Sequence, residues 1–286
     1  MRRDEILITA DELQRKLAQP SLVIMDCRFD LADPEAGWQA FRVGHIPGAR
    51  FADLEKHLSG DVSGDSGRHP LPAPDEAAAA FRRLGVSNDS DVVVYDDSSG
   101  AFASRAWWML RWLGHTKVTL LDGGLAAWRR VGLPMESGDG AAHEGDFTGR
   151  ARKNLVIETD ELERLDLAST RLCDAREPDR FRGVAEPIDS VAGHIPGARN
   201  APFVRAVDAN GLFLATEQLK EIWVEYLDGD LDREWAAMCG SGVTACHLVV
   251  SSMLAGASQP RLYAGSWSEW ITDPSRPVVS QRSRQR

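Results

Sequence analysis

The sequence predicts an α/β protein with two domains, each a mostly parallel sheet flanked by helices on both faces. The first observation is the seven-residue sequence GHIPGAR, which occurs at Gly44–Arg50 and again at Gly193–Arg199. The second is the alternation of short apolar segments with helix-like segments, an order typical of parallel sheets with both faces covered. Because chance does not produce such a repeat in one chain, we interpret the protein as two diverged copies of one unit.

Further pairs of segments flank the repeated heptapeptide in the same order in both copies. MDCR at Met25–Arg28 corresponds to CDAR at Cys173–Arg176, upstream of the heptapeptide. LDGGLAAW at Leu121–Trp128 corresponds to YAGSWSEW at Tyr263–Trp270, downstream of it. The repeat therefore extends over most of the chain rather than over one motif.

Each element of the first copy follows from its local pattern. Thr9 precedes acidic residues and is expected to be the N-cap of a helix, as Thr159 is in the second copy. Apolar runs predict buried strands, and the helical patterns between them predict helices. The strands are expected at Ser21–Asp26, Asp91–Asp96 and Lys117–Asp122, and the helices at Pro74–Leu84 and Ser104–Leu113.

The boundary between the copies is predicted within residues 138–153. These residues are rich in glycine and charge and lack a periodic apolar pattern, as a linker does. We therefore expect an N-terminal domain at residues 1–137 and a C-terminal domain at residues 154–280. The last residues, 281–286, are expected to form a flexible tail.

Composition and charge argue against several classes of protein. The net charge is −10, from 33 basic and 43 acidic residues, which argues against a nucleic-acid partner. No apolar run is long enough to cross a membrane, and the N-terminal MRRDEILITA has no apolar signal core. Four cysteines do not make a disulfide framework in a chain of this length. We expect a cytoplasmic monomer that binds neither membranes nor nucleic acids.

Cys239 is the predicted nucleophile, because it stands where a strand ends and a glycine loop begins. The strand EWAAMC aligns with VVVYD of the first copy, so that Asp96 occupies the position of Cys239. Two glycines let several N–H groups of the loop converge on one point, and the following helix, expected to begin near Val243 or Thr244, adds its positive N-terminal end. Both effects favour a thiolate, to which Ser241 and Thr244 could donate hydroxyl hydrogen bonds. The other cysteines have no such setting and are interpreted as packing residues: Cys27, Cys173 and Cys246.

The two GHIPGAR segments and CGSGVTA at Cys239–Ala245 resemble the tandem rhodanese-domain sulfurtransferases, and the loop is similar to their 3-mercaptopyruvate branch. The resemblance implies two rhodanese-like domains with five-stranded parallel sheets, the N-terminal one catalytically silent, and no metal or other cofactor. It also implies a ping-pong reaction, in which Cys239 takes sulfur from 3-mercaptopyruvate as a persulfide and pyruvate leaves. A thiol such as thioredoxin, or cyanide, then accepts the sulfur.

The same resemblance assigns the substrate-binding residues. Arg180, in DAREPDRFRG, matches the family's substrate-binding arginine, whose planar fork suits a carboxylate. Mammalian relatives carry a further arginine nine residues on, where this chain has Asp189, and Arg182 or Arg199 could compensate. The loop positions expected to contact the donor are Gly240, Gly242, Val243 and Thr244.

A relay that assists proton transfer is the last assignment that the resemblance implies. Ser241 matches its serine and His69, in RHPLP, its histidine. Glu55, in FADLE, stands where an aspartate is usual, and Asp53 is a nearby alternative. The histidines of the two heptapeptides, His45 and His194, occur in both copies and are interpreted as loop-bracing hydrogen-bond formers.

Other functions of this fold are weaker interpretations of the same residues. A cysteine-dependent phosphatase needs an arginine six positions after the cysteine, where this chain has Ala245. A regulatory rhodanese module without activity would lack the cysteine in both copies. A thiosulfate sulfurtransferase is the main alternative, although such enzymes typically carry basic residues where this loop has Gly240 and Ser241.

Overall fold

The computed structural model describes residues 1–140, 143–167 and 169–281, which divide into two compact units. Each unit takes in one short segment from the other half of the chain: residues 207–213 belong to the first unit and residues 61–71 to the second. Of the expected tail, residues 282–286 lie outside the described part. No helix within the described residues is long and apolar enough to span a membrane.

The first unit is built on a five-stranded parallel sheet in the order β1-β5-β4-β2-β3. Its strands are β1 (Leu7–Ile8), β2 (Leu22–Asp26), β3 (Ala49–Phe51), β4 (Asp91–Tyr95) and β5 (Val118–Leu121). Its helices are α1 (Ala10–Lys16), α2 (Ala36–Val43), α3 (Pro74–Arg83), α4 (Ala103–Trp112) and α5 (Gly124–Arg130). The strands and helices predicted for the first copy are confirmed to within one residue at most ends.

The second unit repeats this plan with a four-stranded parallel sheet in the order β7-β6-β8-β9. Its strands are β6 (Arg171–Asp174), β7 (Arg199–Asn200), β8 (Trp235–Met238) and β9 (Arg261–Leu262). Its helices are α6 (Thr159–Glu163), α7 (Pro178–Arg182), α8 (Thr216–Tyr226), α9 (Ala245–Leu254) and α10 (Ser266–Trp270). Where a fifth strand was expected, a single parallel bridge joins Val156 to Leu262, directly after a 3-10 helix over Lys153–Leu155.

The repeated Asp-x-Arg segments tie β2 and β6 to the GHIPGAR loop that follows each of them. In the first copy Arg28 donates two hydrogen bonds from Nε to Asp26, at 2.9 and 3.0 Å, and one from Nη2 to the Gly44 carbonyl at 2.9 Å. In the second copy Arg176 donates to Asp174 at 3.0 Å and to the carbonyl of the first heptapeptide glycine at 2.8 Å. Both aspartates are fully buried, and a buried ion pair is tolerated only when its hydrogen bonds are satisfied in this way.

The two heptapeptide histidines brace their loops in the same way, which confirms that interpretation. The His45 ring stacks on Phe41 with centroids 3.9 Å apart, and its Nδ1 lies 2.8 Å from the Phe41 carbonyl oxygen. The His194 ring stacks on Phe181 at the same separation, with Nδ1 2.7 Å from the Phe181 carbonyl oxygen. In each copy the loop is thus packed against the helix or turn that precedes it.

The two predicted N-caps differ in outcome. The Thr9 hydroxyl accepts the Glu12 backbone N–H and the Glu12 carboxylate accepts the Thr9 N–H, so that prediction is confirmed. Thr159 is wrong as an N-cap, because α6 begins at Thr159 itself. Its hydroxyl lies instead 2.9 Å from the phenol oxygen of Tyr263, in the core.

Candidate active site

Cys239 directly follows β8, at the carboxyl edge of the second sheet. The strand lies between β6 and β9, so the loop emerges at the centre of that edge, where parallel α/β sheets place their sites. Cys239 is 2% exposed, and α9 begins six residues later at Ala245. The predicted strand, glycine loop and helix are therefore present in the predicted order.

The loop directs the backbone N–H group of Gly242 toward the sulfur. The Gly242 N–H donates to Cys239 Sγ at 3.1 Å. Gly242 has a φ of +78°, and a Cβ there would lie 2.3 Å from the Ala264 carbonyl oxygen, so only glycine fits. The Cys239 N–H donates to Ser266 Oγ at 3.0 Å, which fixes the start of the loop.

The side chains of the loop are arranged differently from the expected hydroxyl donors. Neither Ser241 nor Thr244 donates a hydroxyl hydrogen bond to Sγ within the described part of the chain. Ser241 Oγ lies instead 2.8 Å from His69 Nδ1, and both of these side chains are buried. Val243 is buried and Thr244 half-buried in the last turn before α9.

His69 reaches the loop because residues 61–71 pack within the second unit. The Arg68 backbone N–H donates to Ser268 Oγ at 3.0 Å, which anchors the segment to α10. A Cβ on Gly67 would lie 2.5 Å from the Gly265 carbonyl oxygen, so the segment approaches as closely as a glycine allows. The structure thus brings His69 to Ser241, as the sequence resemblance implied.

Arg180 lies beside the loop and is held by two carboxylates. Its Nε donates to both oxygens of Glu186, at 2.9 and 3.1 Å, and its Nη2 donates to Asp189 at 2.9 Å. The two arginines expected to compensate for Asp189 pair elsewhere: Arg182 with Asp179, and Arg199 with Asp228 at 2.7 Å. Arg199 opens β7 and therefore stands at the edge of the sheet opposite Cys239.

Sequence reasoning missed Arg68. Its Nη1 donates to Asp189 Oδ1, and its Nη2 would lie 2.9 Å from a Cβ built on Gly240. Burial lowers the pKa of the Arg68 guanidinium, and the negative charge of a Cys239 thiolate acts in the opposite direction. Only its position before His69 in RHPLP marks Arg68 in the sequence, and that signal is weak.

The other cysteines have settings unlike that of Cys239. Burial raises the pKa of the Cys173 thiol to about 12 and raises that of Cys27 well above its ordinary range. Cys246 lies in α9, and its Sγ donates to the Gly242 carbonyl oxygen at 3.3 Å. These surroundings agree with the packing roles inferred from the sequence.

The acidic candidates for the relay lie in the first unit. Asp53 is buried, and its Oδ1 accepts the backbone N–H groups of Glu55 and Lys56 at 2.9 and 3.1 Å. The Glu55 side chain is exposed. Asp53 therefore shapes the turn, and Glu55 is presented on its surface.

Comparison with known proteins gives consistent matches over nearly the whole chain. A model of the rhodanese-like domain matches residues 9–130 and again residues 159–273. The chain is 51% identical over 277 residues to a probable 3-mercaptopyruvate sulfurtransferase of Pseudomonas aeruginosa, covering 96% of this chain and 98% of that protein. It is 40% identical over 287 residues to the putative thiosulfate sulfurtransferase SseB of Mycobacterium tuberculosis, covering 96% and 97%. The crystal structure of SseA from Escherichia coli, a 3-mercaptopyruvate sulfotransferase, matches with a TM-score of 0.80 at 34% identity, covering 92% and 98%.

Proposed function

The chain belongs to the rhodanese-like family, with two copies of the domain, and from that premise we propose that it transfers sulfur from 3-mercaptopyruvate to a thiol acceptor. The observation that carries the proposal is the loop after β8, in which a backbone N–H points at Cys239 Sγ from 3.1 Å. The relatives named above as 3-mercaptopyruvate sulfurtransferases support the choice of donor.

In the first half-reaction the Cys239 thiolate attacks the sulfur of 3-mercaptopyruvate. An S–S bond forms, the C–S bond breaks, and its electron pair leaves with the carbon as the enolate of pyruvate. The negative charge begins on Sγ, where the Gly242 N–H stabilises it, and passes to the enolate as the C–S bond breaks, while the thiol proton of the donor stays with the outer sulfur of the persulfide. No metal takes part in these steps.

The pyruvate enolate needs a proton, and the pair of Ser241 and His69 is the candidate source. Their 2.8 Å separation lets a proton pass between the imidazole and the hydroxyl, two residues along the chain from the nucleophile. Glu55 remains the predicted acidic member of this relay, with Asp53 as the alternative. The loop residues Gly240, Gly242, Val243 and Thr244 form the floor on which the donor binds.

In the second half-reaction an acceptor thiolate attacks the outer sulfur of the persulfide. The new S–S bond forms on the acceptor, and Cys239 leaves as a thiolate ready for the next cycle. A protein thiol such as thioredoxin, or cyanide, fits this chemistry. The cytoplasmic location and the monomeric state inferred from the sequence remain predictions, as does the division into domains at residues 137 and 154.

Thiosulfate as the sulfur donor is the second candidate. One observation is compatible with it: the neutral loop has two guanidinium groups beside it, Arg68 and Arg180, which lie within 3.6 Å of a Cβ built on Gly240. An anionic donor of either kind would gain from them. The M. tuberculosis relative named as a putative thiosulfate sulfurtransferase keeps this alternative open.

The test is a parallel steady-state assay of both donors with cyanide as acceptor. We expect equal molar release of thiocyanate and pyruvate from 3-mercaptopyruvate, with a kcat/KM at least about tenfold above that for thiosulfate. Cys239→Ser should abolish turnover of both donors, and Cys27→Ala, which removes a buried thiol from the first unit, should preserve it. A kcat/KM that favours thiosulfate would make the second candidate the function.

A further inference from the structure

The segment of residues 61–71 brings a second guanidinium to the catalytic loop. A Cβ on Gly240 would lie 2.9 Å from Nη2 of Arg68, and 3.5 and 3.6 Å from the two terminal nitrogens of Arg180. Gly240 is the residue next to Cys239, so both cations flank the backbone that carries the nucleophile. The two arginines come from segments more than a hundred residues apart in the chain.

Asp189 holds the two guanidinium groups side by side. Its Oδ1 accepts a hydrogen bond from Arg68 Nη1, and its Oδ2 accepts one from Arg180 Nη2 at 2.9 Å. Its side chain is 3% exposed, so little water competes for these bonds. Glu186 holds the Nε side of Arg180, which leaves that guanidinium one orientation.

These bonds occupy only part of each guanidinium. Within the described residues, Nη2 of Arg68 and Nη1 of Arg180 make no hydrogen bond, and both lie next to Gly240. Neither side chain is sealed off, since Arg68 is 30% exposed and Arg180 16% exposed. Two N–H-bearing groups therefore remain available beside the nucleophile, and guanidinium N–H groups are strong donors to a carboxylate.

We propose that Arg68 and Arg180 together bind the carboxylate of the sulfur donor, and that Asp189 is the positioning residue that aligns them. The proposal rests on the function proposed above and adds Arg68 to the single arginine that the sequence indicated.

The pair of arginines also bears on the choice of donor. Because Glu186 and Asp189 offset the two positive charges, the pair recognises a carboxylate through directed hydrogen bonds more than through net charge. A monoanionic carboxylate therefore gains more from it than a compact dianion such as thiosulfate.

The first experiment compares two alkylating reagents that differ only in the carboxylate. 3-Bromopyruvate has the carbon skeleton of the donor, and bromoacetone is its neutral counterpart. The second-order rate of alkylation at Cys239 is followed by the mass of the labelled peptide. Arg68→Gln should lower the ratio of the bromopyruvate rate to the bromoacetone rate by about tenfold or more. The matched control Arg182→Gln, an arginine of the same unit paired with Asp179, should leave the ratio unchanged.

The ratio cancels any general change in the reactivity of the thiol, because both reagents attack the same sulfur. An unchanged ratio in Arg68→Gln would overturn the role of Arg68, whatever the natural donor is. If the wild type fails to turn over 3-mercaptopyruvate but Arg68→Gln lowers the ratio, the proposed function fails and the carboxylate site stands. The experiments therefore distinguish a failure of the proposed function from a failure of the proposed carboxylate site.

A charge swap tests the alignment by Asp189. Arg68→Asp alone places two carboxylates together and should raise the KM for 3-mercaptopyruvate by about tenfold or more. The double variant adds Asp189→Arg. It restores an opposite pair and a second guanidinium, and should recover most of the loss in KM and in the alkylation ratio. Circular dichroism identifies single variants that have not folded, and Arg68→Lys then replaces Arg68→Asp as the milder change. Folded variants whose double shows no recovery would overturn the shared alignment.

Discussion

The loops that follow β4 and β8 occupy the same position in the two copies but hold different hydrogen-bond acceptors. In the first copy the fully buried Asp96 carboxylate accepts four backbone hydrogen bonds, each of 2.8 or 2.9 Å. Their donors are the N–H groups of Ser98, Gly100, Phe102 and Ala103. In the second copy Cys239 Sγ receives the Gly242 N–H at 3.1 Å. Burial raises the pKa of Asp96, and its four N–H bonds act against that rise.

The backbone that closes over each loop is the same. The Leu125 N–H donates to the Asp96 carbonyl at 2.8 Å, and the Trp267 N–H donates to the Cys239 carbonyl at 3.0 Å. The residues before these donors, Gly124 and Ser266, have φ of +56° and +55°. This loop shape is therefore an anion cradle. The first copy fills it with the Asp96 carboxylate, and the second copy places the sulfur of Cys239 there.

The largest expected effect comes from giving the second loop the residue of the first. Cys239→Asp should abolish sulfur transfer, because a carboxylate cannot form a persulfide, yet the cradle should accept the new anion. We expect less than a few per cent of wild-type turnover. The free energy of unfolding should be at or above that of Cys239→Ser, which places a neutral hydroxyl in the same cradle. Steady-state assays and urea denaturation measure the two quantities, and a Cys239→Asp protein much less stable than Cys239→Ser would contradict the cradle.

The next largest effect is expected from removing the Asp96 carboxylate from the loop after β4. Asp96→Ala leaves four backbone N–H groups without their acceptor, two of them buried and two part-buried, and should lower the free energy of unfolding by about 3 kcal/mol or more. Native-state hydrogen exchange should accelerate at Gly100 and Ala103 while the loop after β8 keeps its protection. The control is Asp97→Ala, at the exposed neighbouring carboxylate, which should change stability by about 0.5 kcal/mol or less. An equal loss of unfolding free energy in Asp96→Ala and Asp97→Ala would mean that the four hydrogen bonds to Asp96 do not stabilise the fold.

The parts of the site that lie within one strand–loop–helix unit could be predicted from the sequence, and the parts that meet across the chain could not. Cys239 was predictable because the apolar strand, the glycines and the helix are consecutive. The position of Asp96 followed from the repeat. The expected hydroxyl bonds to Sγ were wrong, because the direction of the Ser241 side chain is set by His69, 172 residues from it in the chain.

Arg68 could not be predicted from the sequence, because its position also depends on contacts between distant parts of the chain. Its place depends on residues 61–71 packing within the second unit, and that packing depends on the close approach of Gly67 to Gly265. The periodic pattern of apolar residues in the sequence does not indicate such a contact. The expected fifth strand of the second sheet shows a related limit, since a strand reduced to the single bridge at Val156 is set by its partner rather than by its own sequence.

The smallest expected effect concerns the heptapeptide of the second copy and its dependence on pH. Burial lowers the pKa of His194 below its ordinary value of about 6.5. The unfolded chain therefore binds this proton first as the pH falls, and the contribution of neutral His194 to stability is full above about pH 6.5 and declines below it.

The variant His194→Gln tests this pH dependence, because it keeps a polar group at the position but removes the titration. The free energy of unfolding of the wild type, measured by urea denaturation between pH 7.5 and pH 5.5 (about one unit above and below the ordinary value), should fall more steeply than that of the variant. His143→Gln, at an exposed histidine of the first unit, is the control and should keep the wild-type slope. Parallel curves for wild type and His194→Gln would show that the bracing histidine is a packing element at every pH and titrates no differently after folding.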